Sequence, residues 1–361
     1  MYLSIFFILL ILCCFAFIGE KTIVKSAYRL RLFDKPNERK IHTTKIPRLG
    51  GLIIFPTILV GLLLLKLLAP AFFKHTFISN ELLIYGLLAS LAVVFICGLV
   101  DDIVGIRYRN KFVAQILAGI ALCSCGIVID DLHGLFLIGR LHPAAAWLLT
   151  IFTVIFVTNA INFIDGIDGL AGNLTIMALI CYGIIFVMTE TTIMILLCIF
   201  VAISLIALLI HNMLGRADRH TKVFMGDGGS LTLGVFLCMC AITVNHVAVH
   251  DEYVSINPSI YAIAPLLLPC FDVVRVVLYR YIHGKNVFKA DKSHIHHKFL
   301  ELGFTQFQTL LIILAINAVM LIVAFTMAPH VGCNIVVLAE VLLFIFVIYL
   351  IMMKQKANRR G

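Results

Sequence analysis

The sequence predicts an all-α integral membrane protein, a polytopic bundle of about eleven transmembrane helices. Its 361 residues are 62% hydrophobic and only 13% charged, and the mean hydropathy is +1.08. A soluble domain is about 45–50% apolar and about 25% charged. Because a soluble core cannot absorb this much apolar surface, the composition excludes a soluble enzyme, a disordered chain and a disulfide-stapled module. The 11 cysteines lie mostly inside apolar runs, which indicates buried free thiols.

Eleven segments are apolar over close to the roughly 20 residues that a spanning helix needs. They are 2–18, 50–68, 82–100, 112–129, 144–163, 170–188, 191–211, 229–247, 259–280, 308–328 and 333–353. The first segment has no Lys or Arg before it and no small-residue cleavage site after it, so we expect a retained span. We find no internal repeat, and we expect one membrane-embedded domain over 1–361.

The basic residues predict the orientation of these spans. With the N-terminus outside and the C-terminus cytoplasmic, all but three of the 28 Lys and Arg residues lie on the inner side. The exceptions are Lys66, Lys74 and Arg140. Such a bias is the positive-inside pattern, and it accounts for the net charge of +9 without a nucleic-acid partner.

Adjacent carboxylates, Asp101 and Asp102, end the third span. Negative charge at a helix C-terminus opposes the helix dipole, so a solvated helix end explains the pair poorly. A metal ion or a metal-bound phosphate is the partner we expect. Arg109 and Lys111 follow within ten positions, where they can neutralise the pair or contact an anionic substrate.

The fifth span ends in two amides and two carboxylates. Asn159 and Asn162 are three residues apart, so they share a face of the last helical turn. The glycines that follow Asp165 and Asp168 allow a tight turn that holds both acids nearby. Four such groups in apolar sequence, without a neighbouring Lys or Arg, indicate a cation or a hydrogen-bonding ligand.

The loop before the eighth span contains Phe224 and the glycine-rich run 226–229. Its glycines allow backbone N–H groups to approach phosphate oxygens, and the following helix N-terminus favours anions. Asp227 offers a hard oxygen ligand for Mg²⁺, and Phe224 can stack on a base. A simple helix cap with Ser230 is the alternative.

The loop after the ninth span contains His294, His296 and His297 among lysines. Three histidines can bind zinc, but no cysteine or fourth ligand lies at a suitable spacing. Donation to a polyanion such as a pyrophosphate is the interpretation we favour. The basic first inner loop, which includes Lys45, either attracts lipid headgroups or forms an ordered turn.

Carboxylates, glycines and basic groups on one membrane face are the requirements of phosphoryl transfer. Five ordered motifs are similar to those of the polyprenyl-phosphate N-acetylhexosamine-1-phosphate transferases, a family that includes phospho-MurNAc-pentapeptide translocase. They are Asp34-Lys-Pro-Asn with Pro47-Arg-Leu-Gly-Gly, Asp101-Asp102, the Asn159–Gly169 run, Phe224-Met-Gly-Asp227 and His294-Ile-His-His297. The histidine motif resembles that of the branch that transfers GlcNAc-1-phosphate to undecaprenyl phosphate; the phospho-MurNAc-pentapeptide branch, which starts peptidoglycan, usually carries three histidines followed by Phe-Glu, absent here. Some members have another acid where this chain has Gly105.

The resemblance implies transfer of GlcNAc-1-phosphate from UDP-GlcNAc to undecaprenyl phosphate, with release of UMP. The reaction would start synthesis of a surface polysaccharide such as O-antigen, capsule or teichoic acid. Another UDP-N-acetylhexosamine or UDP-MurNAc-pentapeptide stays open as the donor. Non-enzymatic alternatives are a transporter of an anionic solute, which charges at one surface disfavour, and a lipid-binding scaffold, which would not need the Asn/Asp clusters.

The resemblance also implies roles for site residues, with Mg²⁺ as cofactor and Mn²⁺ as its substitute. The implied catalytic residues are Asp101, Asp102, Asp165, Asp168, His294, His296 and His297. The implied substrate-binding residues are Lys45, Arg109, Lys111, Asn159, Asn162, Phe224 and Gly226, and the metal ligands are Asp227 and Asn162. We expect a bacterial inner-membrane enzyme with its site on the cytoplasmic face; a homodimer stays open.

Overall fold

A computed structural model describes residues 2–33, 46–247, 257–286 and 293–358, and helices account for most of them. The α-helices are α1 (Tyr2–Arg29), α2 (Ile54–Leu68), α3 (Pro70–Ser79), α4 (Glu81–Val104), α5 (Tyr108–Ser124), α6 (Pro143–Ile164), α7 (Leu170–Met188), α8 (Thr192–Met213), α9 (Gly226–Val247), α10 (Pro258–Ile263), α11 (Leu267–Ile282), α12 (Ile295–Glu301), α13 (Gln306–Met327) and α14 (Cys333–Asn358). Within these ranges, β pairing is limited to two isolated bridges. The predicted all-α class is confirmed.

Ten helical segments of the described chain are long and apolar enough to cross a membrane, and they match ten of the eleven predicted spans. The remaining prediction, 112–129, corresponds to α5, which has 17 residues and packs between α4 and α6. Two boundaries differ from the expectation. Helix α1 continues past residue 18 to Arg29, and the predicted span 259–280 is broken at Ala264–Leu266, where Pro265 has no N–H to donate.

Helix α9 is the central helix of the bundle. It packs against α4, α6, α7 and α10, and nearly all of its span is buried. Small residues allow this close packing. A Cβ added to Gly98 of α4 would collide with the backbone of Gly228, and one added to Gly51 would collide with Gly229. These contacts fix the N-terminus of α9 beside the C-terminus of α4.

The loop between α5 and α6 closes the opposite end of the bundle. Its main-chain carbonyls at residues 131–134 accept hydrogen bonds from three amide side chains on other elements. Asn245, Asn257 and Asn334 donate these bonds at 2.9, 2.8 and 2.9 Å. These hydrogen bonds close this end of the bundle. The candidate site residues predicted from the sequence lie at the opposite end, where α4 ends and α9 begins.

Candidate functional site

Three carboxylates from two helices meet at the start of α9. Oxygens of Asp101, Asp102 and Asp227 lie within 4.8 Å of one another. Asp101 and Asp102 belong to the last turn of α4, and Asp227 to the first turn of α9. The glycine contacts between these helices bring together acids that are more than 120 positions apart in the sequence.

Asp102 caps the N-terminus of α9 from outside that helix. Its Oδ1 accepts from the Asp227 N–H at 2.9 Å, and its Oδ2 accepts from the Gly228 N–H at 2.8 Å. These amides are among the first-turn donors that have no partner within their own helix, and the positive end of the helix dipole also favours a carboxylate there. Asp102 therefore fixes the position of the glycine-rich turn.

Lys111 of α5 lies between the other two carboxylates. Its Nζ is 2.8 Å from Asp101 Oδ2 and also contacts Asp227. Asp101 accepts a further bond from the Ile106 N–H at 2.8 Å. The oxygen-only donor set fits a hard divalent cation. Lys111 supplies positive charge to the same oxygens.

The two predicted amides have different surroundings. Asn162 donates through Nδ2 to Asp227 Oδ1 at 3.1 Å and to Ser230 Oγ at 2.8 Å, so it belongs to the acid cluster. Asn159, one turn earlier on α6, pairs with Gln115 of α5 at 2.7 Å. Asn159 therefore joins α5 and α6 beside the site, and Gln115 is a partner that the sequence reading missed.

The turn between α6 and α7 supplies two more carboxylates. Asp168 Oδ2 is 2.6 Å from Nζ of Lys222, in the loop before α9. Asp165 lies between the two helices and is partly buried. Burial, followed by the negative charges of Asp227 and Asp168, raises the pKa of Asp165 to about 7. Lys222 was not predicted as a site residue. The feature of the sequence that could have indicated it is a single Lys two residues before Phe224.

The glycine-rich loop is paired with the turn at residues 46–51. Phe224 N–H donates to the Pro47 carbonyl at 2.8 Å, and Gly50 N–H donates to the Phe224 carbonyl at 3.0 Å. Gly226 has a φ of +76°, and a side chain there would collide with the Arg48 carbonyl. This part of the first inner loop is an ordered turn; Lys45 lies outside the described residues.

The histidine motif at the start of α12 contacts the turn between α6 and α7. His296 is 1% exposed, and its ring leaves no room for a Cβ at Gly166. Neither ring nitrogen has a hydrogen-bond partner in the described part of the chain. Burial and the adjacent His297, whose ring centroid is 4.3 Å away, lower the pKa of His296 to about 3. Its ring is therefore neutral and packs as an aromatic surface.

His294, the first residue of the histidine motif, pairs with a buried carboxylate. His294 is buried, and its Nδ1 is 2.8 Å from Oδ2 of Asp272 in α11. Asp272 was not predicted. The feature of the sequence that could have indicated it is a single acid within an apolar span, three residues before an arginine.

Arg109 is exposed, with its guanidinium carbon 6.0 Å from the Tyr108 ring centroid. Arg109 can meet a substrate at the surface rather than inside the cluster.

The assembled site combines carboxylates, two lysines and the N-terminus of one helix on one face of the bundle. Such a site can bind a phosphate chain and a divalent cation, and can align a nucleophile with a phosphorus atom. Asp165, with a pKa of about 7, can exchange a proton near neutral pH, whereas His296 is neutral and Asp102 is bound to backbone amides. The arrangement is suited to phosphoryl transfer, where positioning and charge neutralisation provide most of the catalysis.

The chain is similar to known proteins over most of its length. The profile of glycosyl transferase family 4 matches residues 84–245. Decaprenyl-phosphate N-acetylglucosaminephosphotransferase of Mycobacterium tuberculosis (strain CDC 1551 / Oshkosh) is 30% identical over 305 residues, which cover 80% of this chain and 73% of that protein. Residues 84–245, which match the family, include the acid cluster, Lys111 and the turn between α6 and α7.

Two further relatives have related names. The undecaprenyl-phosphate alpha-N-acetylglucosaminyl 1-phosphate transferase of Yersinia pestis is 29% identical over 319 residues, covering 86% of this chain and 80% of that protein. A probable undecaprenyl-phosphate N-acetylglucosaminyl 1-phosphate transferase of Bacillus subtilis (strain 168) is 27% identical over 292 residues, covering 81% and 76%. All three relatives are named for the same sugar phosphate and a polyprenyl phosphate.

Proposed function

The chain belongs to glycosyl transferase family 4, and on that premise we propose that it transfers GlcNAc-1-phosphate from UDP-GlcNAc to undecaprenyl phosphate. The names of its relatives support this class of phosphotransferase. The structural observation that carries the proposal is the cluster of Asp101, Asp102 and Asp227, with Lys111 among its oxygens. The site lies where helix ends meet on one face, so one substrate can come from water and the other from the bilayer.

The proposed reaction exchanges one phosphoanhydride bond for another. An oxygen of the lipid phosphate forms a bond to the phosphorus that carries the sugar, and the bond from that phosphorus to the bridging oxygen of UMP breaks. The electron pair of the broken bond leaves with UMP. GlcNAc-diphospho-undecaprenol and UMP are the products.

In this proposal the residues of the cluster have distinct roles. Asp227 and Asn162, together with Asp101, would hold Mg²⁺, which would neutralise charge on the diphosphate when bound. Lys111 binds phosphate oxygens as they enter. Asp102 accepts from the Asp227 and Gly228 amides and so holds the glycine-rich turn in place, which keeps the Asp227 carboxylate in a fixed position for the ligand.

Direct attack by the lipid phosphate is the mechanism we favour. A phosphate monoester has a second pKa near about 6, so it is mostly dianionic at pH 7 and needs no strong base. The alternative is attack by an Asp carboxylate and a covalent phospho-sugar enzyme. Direct attack predicts no UMP release without acceptor lipid, whereas a stoichiometric burst of UMP would establish the covalent route.

A reconstituted assay tests the function. Purified protein in nanodiscs with undecaprenyl phosphate receives radiolabelled UDP-GlcNAc, UDP-GalNAc or UDP-MurNAc-pentapeptide, with Mg²⁺ or with a chelator. We expect a labelled butanol-soluble lipid from UDP-GlcNAc that requires the metal and is lost in Asp227→Asn. Asn334→Ala, at the opposite end of the bundle, is the control that should retain activity.

The outcomes of this assay separate the alternatives. Product from a different donor would correct the sugar while retaining the reaction. No lipid product from any of the UDP-sugars would refute the transferase proposal. Activity that survives Asp227→Asn would refute the assignment of the site.

We also propose that the site faces the cytoplasm of a bacterial inner membrane. The positive-inside distribution of Lys and Arg supports this orientation, since the loops of the site hold most of the basic residues. UDP-sugars are cytoplasmic metabolites, so a donor site on this face would have direct access to them. The product would then start assembly of a cell-surface polysaccharide.

A further inference from the structure

Asp272 is a carboxylate buried inside a spanning segment. It lies on α11, well before the end of that helix at Ile282, and its side chain is 0% exposed. Charge at such a position is costly unless specific partners compensate it, and it usually marks a functional site. The partners of Asp272 therefore indicate what this residue does.

Three donors converge on this carboxylate. Arg275 Nη2 donates to its Oδ1 at 2.6 Å, and the Ile295 N–H donates to the same oxygen at 3.0 Å. Its other oxygen, Oδ2, faces His294 Nδ1 at 2.8 Å. Arg275 also donates to the Ser293 carbonyl at 2.6 Å. One buried carboxylate on α11 thus fixes three consecutive residues that lead into α12.

The fixed segment lies against the proposed site. The ring of His294 is 5.8 Å from that of Phe163, the residue after Asn162. It is also nearly parallel to the ring of His296 at 5.9 Å, which packs on Gly166. The hydrogen bonds of Asp272 therefore determine where the histidine segment meets the turn between α6 and α7.

The geometry also determines which nitrogen of His294 carries the proton. An ionised carboxylate only accepts hydrogen bonds, so the nitrogen facing Asp272 must be a donor, Nδ1–H. In the neutral imidazole, Nε2 is then the hydrogen-bond acceptor. Carboxylates that bind histidines in this way set both the tautomer and the ring orientation.

We propose that Asp272 is a positioning residue for sugar-phosphate transfer, which acts by presenting Nε2 of His294 to an N–H or O–H group of the nucleotide sugar. This proposal rests on the proposed function. Asp272 itself is enclosed by His294, Arg275 and Ile295, so it acts through His294 rather than on substrate.

Asp272→Asn is the informative variant. Its amide oxygen should stay with the two donors, Arg275 and the Ile295 N–H, which directs the NH₂ group at His294 Nδ1. His294 then becomes the Nε2–H tautomer and loses its acceptor. Loss of the carboxylate partner of a metal-bound histidine typically costs about 10–100-fold. We expect a fall of the same order in kcat/KM for UDP-GlcNAc, because His294 depends on Asp272 for its tautomer in the same way.

Glu340→Gln is the matched control. Glu340 is also 0% exposed within a spanning helix, α14, and its carboxylate has no hydrogen-bond partner among the described residues. The same carboxyl-to-amide change there should leave kcat/KM unchanged. Thermal melting of both variants reports whether they fold.

A double-mutant cycle separates positioning from a structural role. In a His294→Ala background, Asp272→Asn should lower kcat/KM no further, because the residue acts through His294. An equal loss in both backgrounds would overturn the proposal, and so would wild-type kcat/KM in Asp272→Asn alone.

Nitrogen NMR of ¹⁵N-histidine-labelled protein gives a second test that does not depend on activity. Comparison with His294→Ala assigns the signal, and we expect Nδ1–H in the neutral wild-type ring and Nε2–H in Asp272→Asn. An Nε2–H ring in the wild type would overturn the proposal even if the variant failed to fold. Absence of lipid product from the wild type would instead refute the transferase function, whatever tautomer is observed.

Discussion

Asp101 and Asp102 are neighbours in sequence, but their carboxylates have different partners. Asp102 binds two backbone amides of α9, whereas Asp101 pairs with Lys111. A pattern of two adjacent acids suggests equivalent roles. The partners instead make Asp102 the anchor of the glycine-rich turn and leave Asp101 as the group that faces ligand.

Substitution of each acid by its amide should distinguish these roles. Asp102→Asn places an NH₂ group against a backbone N–H, so we expect the free energy of unfolding to fall by about 1.5–3 kcal/mol, together with activity. Asp101→Asn should lose activity with little change in stability, because Lys111 keeps Asp227 as a partner. Thermal melting and lipid-product assays check both variants. Equal destabilisation of the two variants would contradict the assignment of a structural role to Asp102 and a ligand-binding role to Asp101.

Asp165 should make stability depend on pH. Its pKa in the folded protein is about 7, because of burial and the charges of Asp227 and Asp168, against about 3.9 in an unfolded chain. The folded state therefore binds more protons between about pH 4 and pH 7, and stability falls as pH rises through that window. Melting temperatures with metal chelated should show a smaller fall for Asp165→Asn; identical slopes would contradict this assignment.

At the scale of elements, the turn between α6 and α7 depends on a glycine beside a histidine. Gly166 lies against the ring of His296 from α12, so the turn and α12 can approach only because residue 166 has no side chain. From the sequence, Gly166 was expected only to allow a tight turn. The structure adds a packing reason, which required knowing where α12 lies.

Gly166→Ala should destabilise the protein by about 1–3 kcal/mol, the usual cost of overpacking. In a His296→Ala background the added methyl group has room, so the cost of the same substitution should be close to zero. Melting of the four proteins of this cycle measures the coupling. Equal costs of Gly166→Ala in both backgrounds would show that the ring is not the obstacle.

Hydropathy and charge were sufficient to predict the helical class and nearly all the spans, because each span is a local property of the sequence. The placement of Asp101, Asp102 and Asp227 on one membrane face was also predictable, since Asp101 and Asp102 lie at the end of one predicted span and Asp227 just before the start of another. The pairings were not predictable, because Asp102 with α9, Lys222 with Asp168 and Asp272 with His294 are long-range contacts. The break at Ala264–Leu266 was missed because hydropathy continues through it.

At the scale of the whole molecule, the bundle has one end with the acid cluster and another closed by the loop between α5 and α6. Arginines mark both ends: Arg216 lies on the loop before α9 and Arg140 on the closing loop, with side chains 60% and 87% exposed. The positive-inside pattern predicts that Arg216 lies in the cytoplasm and Arg140 outside.

Cysteine labelling of intact cells tests this orientation. A membrane-impermeant maleimide should label Arg140→Cys directly but Arg216→Cys only after permeabilisation, with the parent chain as the background control for its 11 native cysteines. The reverse pattern would place the acid cluster outside and contradict a cytoplasmic donor site.

The central claim is that a sugar phosphate, and not the sugar alone, moves to the lipid. The most direct test uses UDP-GlcNAc labelled with ³²P at the phosphorus next to the sugar and with ³H in the sugar. Sugar-phosphate transfer predicts that both labels enter the lipid in a 1:1 ratio while UMP is released. Lipid that carries ³H without ³²P, with UDP as the other product, would contradict the account.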